Sequence, residues 1–158
     1  MAATRKILTL CMVRQGSRVL LGMKKRGFGA GRLNGFGGKV EAGETIEAAA
    51  KRELREEAGI EALILQKVGL LAFTFANNPE ETLEVHVFTT REFSGDPVET
   101  EEMKPQWFDE SEIPYALMWP DDIFWIPLLL EGKKFTGSFL FGPEDTILHQ
   151  DLHEIEAL

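Results

Sequence analysis

The chain has 158 residues and a mass of 17.7 kDa. Its composition, 44% hydrophobic and 27% charged residues, is typical of a globular protein, and we predict a single domain spanning residues 1–158. Asp and Glu outnumber Lys and Arg by 26 to 17, which gives a formal net charge of −9. This acidity argues against binding to nucleic acid polymers or to an anionic membrane. Small anionic substrates remain compatible with it where a metal ion or a basic patch offsets the repulsion. We therefore expect small-molecule partners, and we predict a monomer.

The sequence predicts neither a disulfide framework nor a membrane span. Cys11 is the single cysteine, and the apolar stretches 7–13 and 123–130 are shorter than the ~18 residues that a span requires. Stretch 7–13 leads directly into Arg14 without a small-residue cleavage site, so it is a poor signal peptide. We expect a cytoplasmic protein, with the nucleus or mitochondria as alternative compartments.

The first part of the chain predicts a hairpin followed by a glycine-rich loop. Apolar runs at 7–13 and 18–23 are separated by Gln15-Gly16-Ser17, which is typical of two strands joined by a turn. Residues 27–38 then contain six of the fifteen glycines of the chain. Such a density indicates a loop whose backbone closely approaches another group.

A helix is predicted from Thr45 to Ala58, with Thr45 as its N-cap and Gly59 just past its end. The later segments predict strands at 65–75, 83–88, 106–108, 135–141 and 146–152, and a short helix at 119–130 containing Pro127. Strands and two helices in this order predict an α+β fold. Its expected architecture is a mixed sheet flanked by helices, an α/β/α sandwich.

Three carboxylates lie together on the first predicted helix. The helix has an apolar stripe of Ile46, Ala50 and Leu54 and a solvent stripe of Glu47, Lys51 and Arg55. Glu53, Glu56 and Glu57 cluster apart from the solvent stripe, and their charges repel one another unless something offsets them. A solvated acidic face is one interpretation. A site for Mg²⁺ or Mn²⁺, which prefer oxygen ligands, is the other.

Gly38, Glu44 and the segment from Arg52 to Ile60 match G-x5-E-x7-R-E-U-x-E-E-x-G-U, where U is a bulky apolar residue, at nine defined positions over 23 residues. This pattern resembles the Nudix box, and the chain is identified as a member of the Nudix hydrolase family. The resemblance implies the Nudix fold and cleavage of nucleoside diphosphates linked to another group. It also implies Mg²⁺ as the cofactor, with Mn²⁺ as an alternative.

The resemblance further implies the roles of the acidic residues. The expected metal ligands are the carbonyl of Gly37 and the carboxylates of Glu53, Glu56, Glu57 and Glu102. One of these four glutamates is expected to act as the catalytic base that takes a proton from the attacking water. Glu44 and Arg52 are instead expected to hold the loop and the helix together.

Four further segments, at 22–31, 34–39, 119–122 and 145–148, resemble the animal MutT-type branch of the family. That branch hydrolyses oxidised purine nucleoside triphosphates such as 8-oxo-dGTP and 2-hydroxy-dATP to the monophosphate and pyrophosphate, which keeps the nucleotide pool clean. Leu33 and Leu83 depart from the mammalian members, which have Trp and Met there. The alternative function is hydrolysis of another nucleotide derivative: a dinucleoside polyphosphate, ADP-ribose or an mRNA cap.

A purine site needs a flat apolar slot with polar groups at its edge. The residues expected to bind the substrate are Thr9, Lys24, Phe28, Asn34, Phe36, Gly37, Gly38, Phe73, Phe75, Leu83, Trp119, Pro120, Asp121 and Asp122. By pattern alone, Phe73 and Phe75 are strand residues of a core, and Asp121 and Asp122 are N-caps of the next helix. If the two aspartates share a proton, they can pair with the edges of both oxidised guanine and oxidised adenine.

Two other features have simple interpretations. Lys25, Arg26 and Lys39 are expected to attract phosphates within an otherwise repulsive field. His149 and His153, four residues apart, could suggest a zinc site, but no third ligand pattern such as H-E-x-x-H accompanies them. A binding module that has lost catalysis would have a broken motif, whereas this one is intact.

Overall fold

A computed structural model describes residues 3–158 and contains a mixed sheet of eight strands with two α-helices. The strands are β1 Thr4–Gln15, β2 Arg18–Lys24, β3 Leu33–Asn34, β4 Glu61–Phe75, β5 Asn78–Ser94, β6 Met103–Asp109, β7 Lys134–Phe141 and β8 Ile147–Ile155. The helices are α1 Ile46–Ala58 and α2 Asp122–Leu130, and short 3₁₀ turns lie at 110–112, 115–117 and 143–145.

The strand order is β3-β2-β1-β5-β4-β7-β8, and β6 pairs with β2. The pairs β1–β5 and β4–β7 are parallel, and the other pairs are antiparallel. The predicted hairpin is confirmed, since Val13 lies opposite Leu20 around the turn at Gly16. The mixed sheet of the predicted α+β fold is confirmed as well.

The sheet has a separate apolar core on each face, and each core packs against one helix. On the α1 face, Cys11 and Val13 pack with Leu54, and on the α2 face Met12 packs with Trp125. Successive side chains of a strand point to opposite faces, so the apolar run of β1, interrupted only by Thr9, contributes to both cores. The α/β/α sandwich is therefore confirmed.

The caps of α1 are those that the sequence predicts. The Ala48 N–H donates to the Thr45 hydroxyl at 3.1 Å, and Gly59 ends the helix with a left-handed φ of 70°. Helix α2 begins at Asp122, three residues later than predicted, and Pro127 lies within it. Between residues 3 and 158, no helix combines the length and apolarity that crossing a membrane requires.

Strands β4 and β5 are longer than the sequence patterns predict. Their antiparallel ladder runs from Glu61 opposite Ser94 to Phe75 opposite Asn78, well beyond the apolar runs. Backbone pairing extends the strands into polar sequence, which lacks the alternation of apolar and polar side chains from which a strand is predicted. The two-residue strand β3 was not predicted, because glycines surround it and it is too short to show a pattern.

Candidate active site

The glycine-rich loop is held against the middle of β1 by backbone hydrogen bonds. Cys11 and Phe36 exchange two of them, at 2.6 and 3.0 Å, and the Thr9 N–H donates to the Gly38 carbonyl at 2.9 Å. A Cβ added to Gly37 would lie 1.8 Å from the carbonyl oxygen of Thr9. Glycine is required at position 37 by this close approach of two backbones.

The same loop also contacts the carboxylates of α1. The Gly37 N–H donates to Oε1 of Glu57 at 2.8 Å, and a Cβ added to Gly38 would lie 2.7 Å from the carboxyl carbon of Glu53. Glu57 is only 8% exposed, so the interpretation of the three glutamates as a solvated acidic face does not hold for this residue. Glu53 is half-buried, and Glu56 lies on the exposed side of the helix.

Burial raises the pKa of the Glu57 carboxyl to about 8, and its hydrogen bond from Gly37 opposes this shift only in part. Burial also raises the pKa of Glu53, against the lowering effect of Arg52. A carboxylate taken out of water is stabilised by a nearby cation. The donor set of buried and half-buried carboxylate oxygens is therefore suited to a hard divalent cation.

Arg52 is the centre of an ion-pair network that joins the loop to α1. Its guanidinium donates to Glu44 at 2.7 and 3.0 Å, to Glu53 at 2.8 Å, to Glu56 at 3.2 Å and to the Lys39 carbonyl at 3.1 Å. Glu44 and Arg52 thus hold the loop and helix together, as the sequence predicts.

Glu102, the further glutamate expected to bind metal, pairs here with Arg26 at 2.6 Å. Within the described part of the chain, no group of three or more acidic, His or Cys side chains is arranged as a preformed metal site. Arginines are instead the cationic partners of Glu53, Glu56 and Glu102. The metal-binding roles of these residues stay a prediction.

A cavity of about 210 Å³ opens beside this helix and extends to the start of α2. Twelve of the expected substrate residues line it: Thr9, Lys24, Phe28, Asn34, Gly37, Gly38, Phe73, Phe75, Leu83, Trp119, Asp121 and Asp122. Glu57 lines it as well, so the cavity connects the carboxylate helix with the pair of aspartates. Sequence positions more than a hundred residues apart are thereby brought to one site.

Two of the expected substrate residues do not line the cavity. The Phe36 ring is fully buried in the core on the α1 face, where it supports the glycine-rich loop. Pro120 lies between the lining residues Trp119 and Asp121 but is not itself part of the lining. Phe73 and Phe75 satisfy both interpretations, since they line the cavity and also pack on the α2-side core.

Further lining residues were not identified from the sequence: Leu8, Leu10, Met12, Gly35, Val85, Met103, Trp125, Ile126 and Phe141. The spacing of Leu8, Leu10 and Met12, two residues apart on a strand, places them on one face and could have suggested their role. The others come from separate elements, and only the packing of those elements brings them to the cavity.

Asp121 and Asp122 are 3% and 6% exposed, and both line the cavity. Asp121 occupies the N-cap position of α2, but its side chain makes no capping hydrogen bond and instead accepts from Trp125 Nε1 at 2.7 Å. Burial raises the pKa of both carboxyls, and the charge of Asp121 raises that of Asp122 further. Two such neighbouring acids retain a proton between them above the pH at which a solvated aspartic acid has lost its own.

Other polar groups face the same region. Among residues 3–158, the buried Thr9 hydroxyl has no hydrogen-bond partner, which leaves it available to a ligand. Lys24, which was expected to bind the substrate, lines the cavity. Of the three residues expected to attract phosphate, Lys25 pairs with Glu99 and Arg26 pairs with Glu102.

The proposed zinc pair of His149 and His153 is not supported by the structure. Both lie on strand β8, not on a helix, so four residues separate them by about 13 Å. His153 pairs with Asp151 at 2.6 Å on the exposed edge of the sheet.

Comparison with known proteins agrees with this geometry. Residues 4–129 match the model of the NUDIX domain. An oxidized purine nucleoside triphosphate hydrolase of Mus musculus is 55% identical over 98% of this chain and 99% of its own, and one of Danio rerio is 53% identical over the same shares. The crystal structure of a MutT protein from Bacillus halodurans, 26% identical, superposes with a TM-score of 0.84 over 93% of this chain and 97% of that one.

Proposed function

The chain belongs to the Nudix family, and on that premise we propose that it hydrolyses oxidised purine nucleoside triphosphates to the monophosphate and pyrophosphate. The substrates are 8-oxo-dGTP, 2-hydroxy-dATP and related modified purine nucleotides, whose removal protects the nucleotide pool. The observation that supports this best is the cavity in which Asp121, Asp122 and Glu57 all take part. Near full-length similarity to two relatives named for this activity supports it as well.

The apolar walls of the cavity provide a slot for the purine ring. Trp119, Phe28 and Phe75 lie within 6.5 Å of one another, measured between ring centroids, in tilted and edge-on arrangements. Asp121 and Asp122 offer one shared proton and several acceptor oxygens to the edge of the base. A site built to hydrogen-bond these groups discriminates strongly against bases that lack them.

The carboxylate helix provides the hydrolytic end of the site. Family members use divalent metal ions, and we propose Mg²⁺, with Mn²⁺ as the substitute, held by Glu53, Glu56, Glu57, Glu102 and the Gly37 carbonyl. When bound, such an ion neutralises phosphate charge and lowers the pKa of water. One of the four glutamates accepts the proton of the attacking water, and Lys24 in the cavity wall attracts the phosphates.

The test of the reaction is pyrophosphate release with Mg²⁺ from 8-oxo-dGTP, 2-hydroxy-dATP, O6-methyl-dGTP and dGTP. ADP-ribose and a dinucleoside polyphosphate, followed by their own products, serve as the alternatives. Preferential turnover of modified purines by the wild type, together with loss of that turnover in Glu57→Gln, supports the proposal. Glu47→Gln, on the exposed face of the same helix, is the control. Turnover of ADP-ribose or dinucleotides alone would overturn the assignment of the purine site.

Metal binding is tested separately by thermal unfolding without substrate. A ligand that binds only the folded state raises the midpoint temperature, and the increase grows with the logarithm of the ratio of ligand concentration to Kd. We expect Mg²⁺ to stabilise the wild type and the Glu47→Gln control, and to have a much smaller effect on Glu57→Gln. An equal response of all three proteins would contradict Glu57 as a ligand.

We further propose that the protein acts as a cytoplasmic monomer, with the nucleus or mitochondria as other compartments. Support for small-molecule rather than polymer substrates comes from the net charge of −9. Light scattering across a concentration series tests the oligomeric state, and a constant mass near 17.7 kDa is expected.

A further inference from the structure

The indole of Trp119 is covered on one side by an arginine that does not line the cavity. The guanidinium carbon of Arg32 lies 4.1 Å from the centroid of the Trp119 ring. Trp119 is part of the cavity wall and Arg32 is not, so Arg32 supports the indole from outside the cavity. A guanidinium stacked on an indole face at this distance is a favourable cation–π contact.

Arg32 is anchored in turn by the connection between β7 and β8. Its Nη2 pairs with Oδ2 of Asp145 at 3.1 Å, and both side chains are only partly exposed. Glu144 and Asp145 both have left-handed backbones, with φ of 55° and 58°. Two successive non-glycine residues in this region are costly, and such conformations are held where the surrounding structure fixes them, often beside functional sites.

The guanidinium has a further donor that is buried. Arg32 Nη1 is inaccessible to solvent and, within the described residues, makes no hydrogen bond. Stacking on Trp119 and pairing with Asp145 are thus the contacts that hold the group. The half-buried guanidinium is therefore held on one side by the indole and on another by the Asp145 carboxylate.

Arg32 also closes the loop that presents Phe28 to the cavity. The Lys24 N–H donates to the Arg32 carbonyl at 3.0 Å, and the Gly31 N–H donates to the Lys24 carbonyl at 2.8 Å. The Phe28 ring centroid lies 5.2 Å from that of Trp119, and a Cβ on Gly29 would lie 3.3 Å from Trp119 Nε1. The positions of the Phe28 and Trp119 rings therefore depend on the loop between Lys24 and Arg32.

We propose that Arg32 is a positioning residue for recognition of the purine base, acting through Trp119 and anchored by Asp145. The inference rests on the proposed function and adds to it two residues that do not touch the substrate. Arg32 holds the indole and the Phe28 loop in the orientation that leaves a flat slot. Its loss costs binding of the base and leaves the hydrolytic carboxylates of α1 in place.

The test compares Arg32→Met, Arg32→Lys and Asp145→Asn with the wild type in steady-state hydrolysis of 8-oxo-dGTP. We expect Arg32→Met to raise KM about three- to thirtyfold, the range of one cation–π contact, with kcat changed less than about twofold. Arg32→Lys retains the charge without the planar stack and should raise KM nearly as much. Asp145→Asn, which retains the stack, should raise KM less.

Arg18→Met is the matched control, because Arg18 stacks on Trp107 at 4.9 Å and neither residue lines the cavity. It should leave KM unchanged. If Arg32→Met does not fold, Arg32→Lys decides the question by the same measurement. Unchanged KM in a folded Arg32 variant, or a loss confined to kcat, would overturn the proposal.

Binding of 8-oxo-dGMP, followed by calorimetry, separates this proposal from the proposed function. Wild-type protein that binds the nucleotide while Arg32→Met binds it equally well would overturn only the role of Arg32. Wild-type protein that neither binds it nor hydrolyses modified purine triphosphates would overturn the proposed function. Weaker binding by Arg32→Met, in parallel with its higher KM, is the expected result.

Discussion

The Trp125 Nε1–H donates to Oδ2 of Asp121 at 2.7 Å across one turn of α2, and both side chains are almost fully buried. The bond satisfies the indole donor and stabilises the ionised form of Asp121. Burial raises the pKa of both carboxyls, and the neighbouring charge of Asp121 raises that of Asp122 further, so the pair retains one proton that the two carboxyls share.

Trp125→Phe should test the strength of this arrangement. Removing the donor leaves a buried carboxylate oxygen without its partner, so we expect a loss of about 1–3 kcal/mol in the free energy of unfolding. Denaturant titration measures it. Trp107→Phe, at a half-buried position away from the cavity, should lose less than about 1 kcal/mol. Equal losses in the two variants would show that the Asp121 bond adds nothing.

Asp122→Asn should change the pH dependence of stability. The folded state retains a proton at pH values where the unfolded acid, with a pKa of 3.8, has lost it. The free energy of unfolding of the wild type therefore falls as pH rises from about 4 to the raised pKa, by up to about 1.4 kcal/mol per pH unit for one proton. The amide introduced by the substitution has no such proton to lose, so the variant becomes relatively more stable across this window.

Unfolding curves at a series of pH values measure this difference. Asp96→Asn, at an exposed position outside the cavity, should follow the wild type throughout. A constant difference between Asp122→Asn and the wild type would mean that Asp122 does not retain a proton in the folded state.

Asp122→Asn should also change substrate choice. With a proton that moves between two acids, one pocket pairs with the edges of both oxidised guanine and oxidised adenine. An amide has fixed donors and acceptors, so one substrate loses a buried hydrogen bond, worth about tenfold in kcat/KM. The measurement is the ratio of kcat/KM for 8-oxo-dGTP and 2-hydroxy-dATP. An unchanged ratio would reject the shared-proton hypothesis.

Arg52→Gln should be far more destabilising than Arg55→Gln on the same helix. Arg52 is 19% exposed and pairs with Glu44, Glu53 and Glu56, which would be left as mutually repelling carboxylates. We expect a loss of about 3–5 kcal/mol, against less than about 1 kcal/mol for Arg55, whose pair with Glu61 is exposed. Chemical denaturation of both variants provides the comparison, and similar losses would contradict the central role of Arg52.

Gly37→Ala should be severely destabilising. Its Cβ would lie 1.8 Å from the Thr9 carbonyl oxygen, and backbone on both sides prevents a small adjustment. We expect a loss of about 3 kcal/mol or more, with reduced hydrolysis because the loop against Glu57 shifts. Gly43→Ala, with φ of +82° and open space around it, isolates the cost of backbone strain at about 1 kcal/mol. Tm values of both variants decide whether collision or strain matters more.

Local chemistry explains why much of this protein could be predicted from its sequence. The ends of α1 follow from Thr45 and Gly59, since a hydroxyl that caps free N–H groups and a residue that tolerates positive φ act on their nearest neighbours. The faces of β1 follow from alternation, and the family follows from residues spaced along one loop and helix. These properties depend on short-range geometry that the order of residues determines by itself.

Only the tertiary structure decided which groups meet across long stretches of chain. The place of Phe36 in the core, the contact of Trp125 with Asp121 and the stack of Arg32 on Trp119 depend on how the sheet brings distant elements together. The burial of Glu57, and with it the raised pKa of its carboxyl, likewise comes from the loop packed over it. Burial is a property of everything around a residue, so no local pattern contains it.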